Sequence, residues 1–493
     1  MLYNIVEKSR GEVMKIIGRS EQYATLMKIY GSKKPEFVVV KGRRRVGKTY
    51  LVNNTFENEF CFKFTALSPV DAVEGGRSKL NLQLEAFYLS LRSFGHRCRK
   101  PKNWLQAFDQ LKVLISSKGT EQRQVVFIDE LPWLDTPRSD FVSSFEHFWN
   151  DWGSTRENLM LIVCGSSNSW INDNLLNNYG GLYNRVTKII DLYPFDLKET
   201  KDFFDYSGVV MSDYDVIQSY MIFGGIPFYL NQLDGNMSLA QNVDKLFFSP
   251  NAVLRNEFDL LFRSAFKNPD DIKKIVVCLS KKRSGLTKKE LTELTGISDG
   301  GSLTTLLKSL TAGNIVEKYV PFGGKRNEHL YKLIDRLCLF YLYFVNNNQT
   351  LDKTFWQDNV LSRSVSSWRG FAFEQICFLH IEKIKNALKI GGLSTQISAF
   401  SYEADGEERG GQVDLVIVRA DNIVDVCEIK FYGAKYDVTQ SDVEKSKSRE
   451  AAILKKLPKK YAVHHVLITT FGACKNKFSS YYQAVITIDD LLK

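Results

Sequence analysis

Gly42-Arg-Arg-Arg-Val-Gly47-Lys48-Thr49 has the residue types and spacing to hold a polyphosphate. Glycines at both ends let a loop curl without Cβ clashes, so that several backbone N–H groups converge on one anion. The amides of Gly42, Arg43, Arg44, Arg45, Val46 and Gly47 would line that cradle. A helix starting where the loop ends would add the positive end of its dipole. In such a loop Lys48 reaches the β- and γ-phosphates as a point charge, and the Thr49 hydroxyl is a magnesium ligand. Further along, Val125-Val-Phe-Ile-Asp129-Glu130 is an apolar run ending in two carboxylates. Asp129 suits a magnesium ion held through water. Glu130 is placed to polarise an attacking water. Such a set binds and hydrolyses a nucleoside triphosphate, with ATP and Mg2+ as the expected cofactors. Asp-Glu after a strand also marks ordinary helix starts, and the loop upstream favours the chemical reading.

A second set lies near the C-terminus. Gly411-Gln-Val-Asp414-Leu-Val-Ile-Val and Ile423-Val-Asp-Val-Cys-Glu428-Ile-Lys430 both read as strands, joined by Ala420-Asp421-Asn422. A three-residue hairpin sets Arg419 opposite Ile423 and so Asp414 opposite Glu428. Lys430 then shares the face of Glu428, while Ile429 points into the core. Like charges directly opposed across a sheet are unfavourable, and a divalent cation removes the conflict. Two carboxylates on a metal with a lysine near the attacking water can hydrolyse a phosphodiester. A loop one residue longer or shorter breaks the opposition. A solvated strand face bearing Glu and Lys would need no function.

Both sets need elements to position them. Glu36–Lys41 is a strand candidate ahead of the phosphate loop, and 60–67, 124–129, 159–164 and 187–192 are further short apolar runs. Amphipathic stretches such as 141–152 lie between them. Strands alternating with helices imply βαβ units and a parallel sheet covered on both faces. The expected organisation is a P-loop core over 1–195, a helical lid over 196–267, a winged helix over 268–345 and a separate α/β domain over 360–493. Asp196 opens the lid and Gly224-Gly225-Ile226-Pro227 breaks it. In the third segment Thr287 and Glu290 form a capping-box pattern. Helices, a turn and a hairpin follow in the order of a winged helix-turn-helix. Asn346-Asn-Asn-Gln-Thr reads as a polar linker.

Composition sets bounds. Hydrophobic residues make up 44 % and charged residues 25 %, ordinary for a globular protein. No run is long enough for a membrane span, and the N-terminal MLYNIVEKSRGEV lacks the apolar core of a secretory signal. The eight cysteines have no zinc spacing and read as small buried hydrophobes in a reducing cytosol. His464-His465 sits in a strand-like run and alternates between core and surface. A net charge of +10 permits contact with nucleic acid and equally suits a solvated basic surface.

Ile17-Gly18-Arg19-Ser-Glu21, GRRRVGKT, IDELPWL and CGSSNS resemble the archaeal and bacterial AAA-type ATPases related to the STAND class. The resemblance covers roughly the first 230 residues. It implies a P-loop ASCE/AAA-type α/β fold, with Gly18 and Arg19 near the adenine and the tip Gly165-Ser166-Ser167-Asn168 as a sensor of the γ-phosphate. Arg185 matches a basic position that could stabilise charge in the transition state, in its own chain or on a neighbour; a surface arginine capping a strand is the plainer alternative. Gly224-Gly-Ile-Pro227 matches the family's lid turn. Asp414 with Glu428-x-Lys430 resembles the PD-(D/E)XK nuclease signature. Trp368-Arg-Gly-Phe-Ala-Phe-Glu374 resembles that superfamily's Gly-x-x-Phe-Glu helix. This implies a restriction-endonuclease-like domain with Asp414, Glu428 and Lys430 in catalysis and Glu374, Asp414 and Glu428 as metal ligands. Gln412 departs from the pattern, since many members carry another polar or acidic residue there. The pairing resembles AAA ATPases with a DUF234-type tail.

The expected partners are DNA and further copies of the chain, with no membrane, in the cytoplasm. Three functions fit: a nucleotide-driven nuclease, a STAND-like switch with an inactive tail, and a DNA-binding regulator. For the last, Lys308, Lys325, Arg326 and Lys281-Lys-Arg283 make a modest basic footprint, and packing between domains explains that module as well.

Overall fold

The computed structural model describes residues 16–68, 78–166, 168–176, 182, 184–266, 268–325, 327–346, 348, 352–402 and 410–493. The N-terminal run MLYNIVEKSRGEV, Ser167 of the sensor tip, Arg326 of the wing and most of the polar linker at 346–350 lie outside the described residues. The chain divides into two compact units. One comprises 1–194, 259–273 and 301–315; the other comprises 195–258, 274–300 and 316–493.

The first unit is built on a five-stranded sheet of β1 (Glu36–Lys41), β2 (Phe60–Thr65), β3 (Gln124–Asp129), β4 (Leu159–Gly165) and β5 (Lys188–Asp191), in the order β2-β3-β4-β1-β5. Every pairing is parallel. Buried strands of such a sheet have both faces covered, which is why QVVFID and LMLIVCG are buried along their whole length. β5 stands at an edge and alternates Lys188, Ile189, Ile190 and Asp191 with only Ile190 buried. One face of the sheet packs on an aromatic cluster that includes Phe37, Phe62, Phe87, Trp104, Phe108 and Phe145. β4 separates β1 from β3, so its tip lies between the phosphate loop and the two acids. The helix Gly301–Ala312 also counts with this unit, burying Leu303, Leu306, Leu307 and Leu310 at helical spacing.

The second unit opens with the helix Leu197–Ser207, capped by the reciprocal Asp196–Glu199 pair. The helix Asp213–Phe223 ends on Gly224, at φ 61°. A Cβ at Gly225 would overlap the backbone of Phe195, whose N–H donates to the Gly225 carbonyl at 2.6 Å. Pro227 then starts the short helix Pro227–Leu230. A small antiparallel sheet follows in the order β6-β8-β7, from β6 (Leu286–Thr287), β7 (Val316–Tyr319) and β8 (Leu330–Leu333). Thr287 and Glu290 cap the helix Lys288–Thr295 as their spacing predicts.

The last sheet holds β9 (Thr395–Tyr402), β10 (Gly411–Arg419), β11 (Ile423–Lys430), β12 (Ala462–Thr469) and β13 (Ala484–Ile486), in the order β13-β12-β11-β10-β9. β9, β10 and β11 are antiparallel, whereas β11, β12 and β13 are parallel. The turn between β10 and β11 closes on Asn422 at φ 65°, the left-handed residue that a three-residue hairpin loop requires. None of the eight cysteines is in a disulfide, and five of them are buried. His465 is buried against Glu450 and Tyr481, at 2.9 Å from each, while His464 faces outward. Among the described residues no helix is long and apolar enough to cross a membrane.

Candidate nucleotide site and the C-terminal acids

The phosphate loop leaves β1 and enters the helix Lys48–Phe56, capped by Gly47 at φ 91°. Arg45 has φ 73°, so consecutive loop amides turn inward. A Cβ on Gly42 would overlap the Leu192 carbonyl beside the loop. Lys48 is only 5 % exposed. Its ammonium donates to the carbonyls of Gly42 at 3.0 Å and Arg43 at 3.1 Å, weak neutral acceptors that a phosphate oxygen would outbid. The Thr49 hydroxyl donates to Asp129 Oδ2 at 2.7 Å. That contact joins the end of β3 to the start of the helix and brings two oxygen ligands to one point. Burial raises the Asp129 carboxyl above its usual range; Thr49 and Lys48 pull it down, and Glu130 adds to the rise.

Glu130 has φ 52°. A non-glycine residue held in this region costs of order 1–3 kcal/mol and tends to persist at functional sites. Its Oε2 accepts two hydrogen bonds from Ser166, from the amide at 3.0 Å and the hydroxyl at 2.8 Å. Ser166, expected as a γ-phosphate sensor, therefore holds the second acid. Gly165 before it admits no side chain, because a Cβ would lie 2.7 Å from Pro132 Cδ. Asn168 accepts from the Gly42 amide at 3.0 Å and donates to the Ala312 carbonyl at 2.7 Å. Arg19 is buried next to Gly18, which has φ 64°. The Arg19 guanidinium donates to the carbonyls of Val46 at 3.2 Å and Tyr193 at 2.7 Å, so it braces the loop. Arg185 is exposed, and its side chain makes no hydrogen bond or ion pair among the described residues. The structure does not bring it onto Lys48, Thr49, Asp129 or Glu130.

In the C-terminal sheet β10 and β11 pair Leu415 with Cys427 and Val418 with Val424. One step further along this register stand Asp414 and Glu428, as the hairpin length predicts. Ile429 is buried in the core. A register shift between Val413 and Val416 on the β9 side brackets Asp414, the kind of bulge that re-aims a side chain. Asp414 Oδ2 accepts from the Ile429 amide at 3.0 Å. Burial, and then the charge of Glu428, raises its carboxyl. Glu428 is engaged on both oxygens, by Lys430 at 2.6 Å and by Arg449. Arg449 comes from the helix Gln440–Leu454, and no spacing in the sequence points to it. Glu374, on the helix Arg363–Leu379, makes no hydrogen bond or ion pair among the described residues. Burial, and then the charge of Asp414, raises it, against the pull of Lys332, Arg283 and Lys430. Among the described residues no three His, Cys, Asp or Glu side chains gather closely enough to hold an ion. Glu374, Asp414 and Glu428 are electrostatic neighbours with Glu428 turned onto its two cations.

Residues 17–233 match the family described as an ATPase domain predominantly from Archaea. An uncharacterized protein of Methanocaldococcus jannaschii is 25 % identical over 403 residues, 81 % of this chain and 83 % of that one. Among solved structures, the Walker-type ATPase PABY2304 of Pyrococcus abyssi is 18 % identical, with 69 % of this chain and 99 % of that chain covered and a TM-score of 0.45. The ORC2 protein of Aeropyrum pernix is 14 % identical, with coverage of 70 % and 95 % and a TM-score of 0.40. The family match falls on the segment that carries the phosphate loop, Asp129, Glu130 and Ser166, and supports an ATPase domain of the archaeal kind over that segment.

Proposed function

We propose that the chain hydrolyses magnesium-bound ATP between Lys48, Thr49, Asp129 and Glu130, and that its nucleotide state controls a C-terminal nuclease-like domain acting on DNA. The observation that carries the first part is the short bond between Thr49 and Asp129 beside a second acid held by Ser166. Two hard oxygen ligands at one point fit Mg2+, which when bound would neutralise charge on the phosphates. Lys48 exchanges its two loop carbonyls for phosphate oxygens. Both Ser166 bonds fall on Glu130 Oε2 and leave Oε1 to orient water and take its proton. Asn168 fixes the Gly42 end of the loop.

The nuclease reading rests on Glu374, a half-buried carboxylate with no hydrogen bond or ion pair among the described residues, next to Asp414. Two such acids side by side call for a proton or a cation. Asp414 and Glu374 would supply oxygen ligands, and Lys430 would stand near the attacked phosphodiester. The second reading is a nucleotide switch with an inactive tail. It is favoured by the engagement of both Glu428 oxygens by Lys430 and Arg449.

Incubation of single- and double-stranded DNA with Mg2+ or Mn2+ and ATP separates the two. Cleavage that is lost in Asp414→Ala and altered in Lys48→Ala supports control of a nuclease. ATP turnover without cleavage on every DNA form and with either metal refutes the nuclease and leaves the switch.

A further inference from the structure

The second unit contains a small cavity of about 30 Å³, lined by Lys332, Arg336, Gln375, Phe378 and Glu317 among others, with Lys332 also an electrostatic neighbour of Glu374. That space holds one small ion or a water or two. Its polar lining is almost wholly of donors. Arg336 is 4 % exposed. One of its guanidinium nitrogens donates to Gln375 Oε1; its Nε and Nη2 are buried and make no hydrogen bond. Gln375 Nε2 is likewise buried without an acceptor. Lys332, on β8, stands over the rings of Phe371 and Phe378 at 5.9 and 5.3 Å. Neither cation makes an ion pair among the described residues. Glu317, the one acid in the lining, is exposed; it faces Lys332 across the β7–β8 pair and acts on both cations through its charge, without a hydrogen bond or ion pair to either. Burial pushes Lys332 down, and pushes Arg336 down to about 10. Asp335, next in the chain, turns its carboxylate to the Cys338 amide at 2.8 Å.

A buried guanidinium, a half-buried ammonium and a buried amide donor around one cavity are costly until an acceptor fills it. Water offers acceptors but no charge, whereas an anion offers both. We infer that this cavity is a binding site for a small inorganic anion of chloride size, held by Arg336 Nε and Nη2, Gln375 Nε2 and the Lys332 ammonium. An anion there would tie β8 to the helix Arg363–Leu379.

Crystals of the full chain soaked in sodium bromide test the site directly by anomalous scattering. The expected result is a bromide peak within hydrogen-bond reach of Arg336 Nη2 and Gln375 Nε2. Water alone at that position, with no anomalous signal, overturns the proposal. In solution, the melting temperature in sodium chloride should exceed that in sodium gluconate at equal ionic strength. The rise should saturate and be on the order of a few degrees. Lys332→Met removes one cation without opening the buried Arg336 seat and should abolish the difference. A difference unchanged in Lys332→Met, or equal melting in both salts for the unaltered protein, contradicts the assignment.

Discussion

Ser166→Ala removes one of the two donors that hold the Glu130 carboxylate and leaves the other, the backbone amide. A hydrogen bond to a charged group contributes about 1.5–3 kcal/mol. If all of it were spent on holding Glu130 for proton transfer, the turnover number would fall by roughly 10- to 150-fold, at about 1.4 kcal/mol per factor of ten. The remaining amide bond keeps the acid close, so the lower end, about tenfold, is the expected loss. KM for ATP should stay within about twofold, because Ser166 bonds to the acid and not to the phosphate loop. Steady-state phosphate release with Mg-ATP measures both constants. Ser166→Thr retains the hydroxyl and should recover most of the rate. A rise in KM with kcat unchanged would refute the reasoning and return Ser166 to direct contact with the nucleotide.

Three further outcomes follow. Gly42→Ala places a Cβ against the Leu192 carbonyl; it should cost about 1–3 kcal/mol of stability, read as a lower melting temperature together with lost nucleotide binding. Arg449→Met removes one of the two cations on Glu428 and leaves Lys430, so it should lower stability by about 1.5–3 kcal/mol; if the C-terminal acids bind a divalent cation, Mn2+ should restore melting more in this variant than in the unaltered chain. Burial holds His380 below its ordinary 6.5, and its Nε2 accepts from the Leu197 amide at 3.1 Å. As pH falls below about 6.5 the unfolded chain takes up the proton first, so the stability present at higher pH is lost on acidification. Melting curves from pH 8 to 5 should show that loss, and His380→Gln should flatten it.

The parts legible in the sequence are those that short-range chemistry decides. The glycines, Lys48 and Thr49 act within one loop, and Asp129 and Glu130 end one strand. The loop Ala420-Asp421-Asn422 dictates the β10–β11 register because its length does. What the sequence could not show depends on distant packing. Ser166 meets Glu130 only because β4 lies between β1 and β3. Arg449 reaches Glu428 from a helix with no patterned relation to β11. Asn168 bridges Gly42 and Ala312 across a long stretch of chain. The helix Gly301–Ala312 shows the same point, since its leucine pattern predicts a helix but not that it counts with the P-loop sheet.

Glu130→Gln keeps the shape of the side chain, and the Ser166 bonds can persist to its carbonyl oxygen, while its capacity to accept a proton from water is lost. Binding of a fluorescent ATP analogue and single-turnover hydrolysis, measured on the same preparation, test the nucleotide site most directly. The account predicts affinity within about twofold of the unaltered chain and hydrolysis slower by roughly 10²- to 10⁴-fold. Hydrolysis at the original rate, with binding intact, would contradict it.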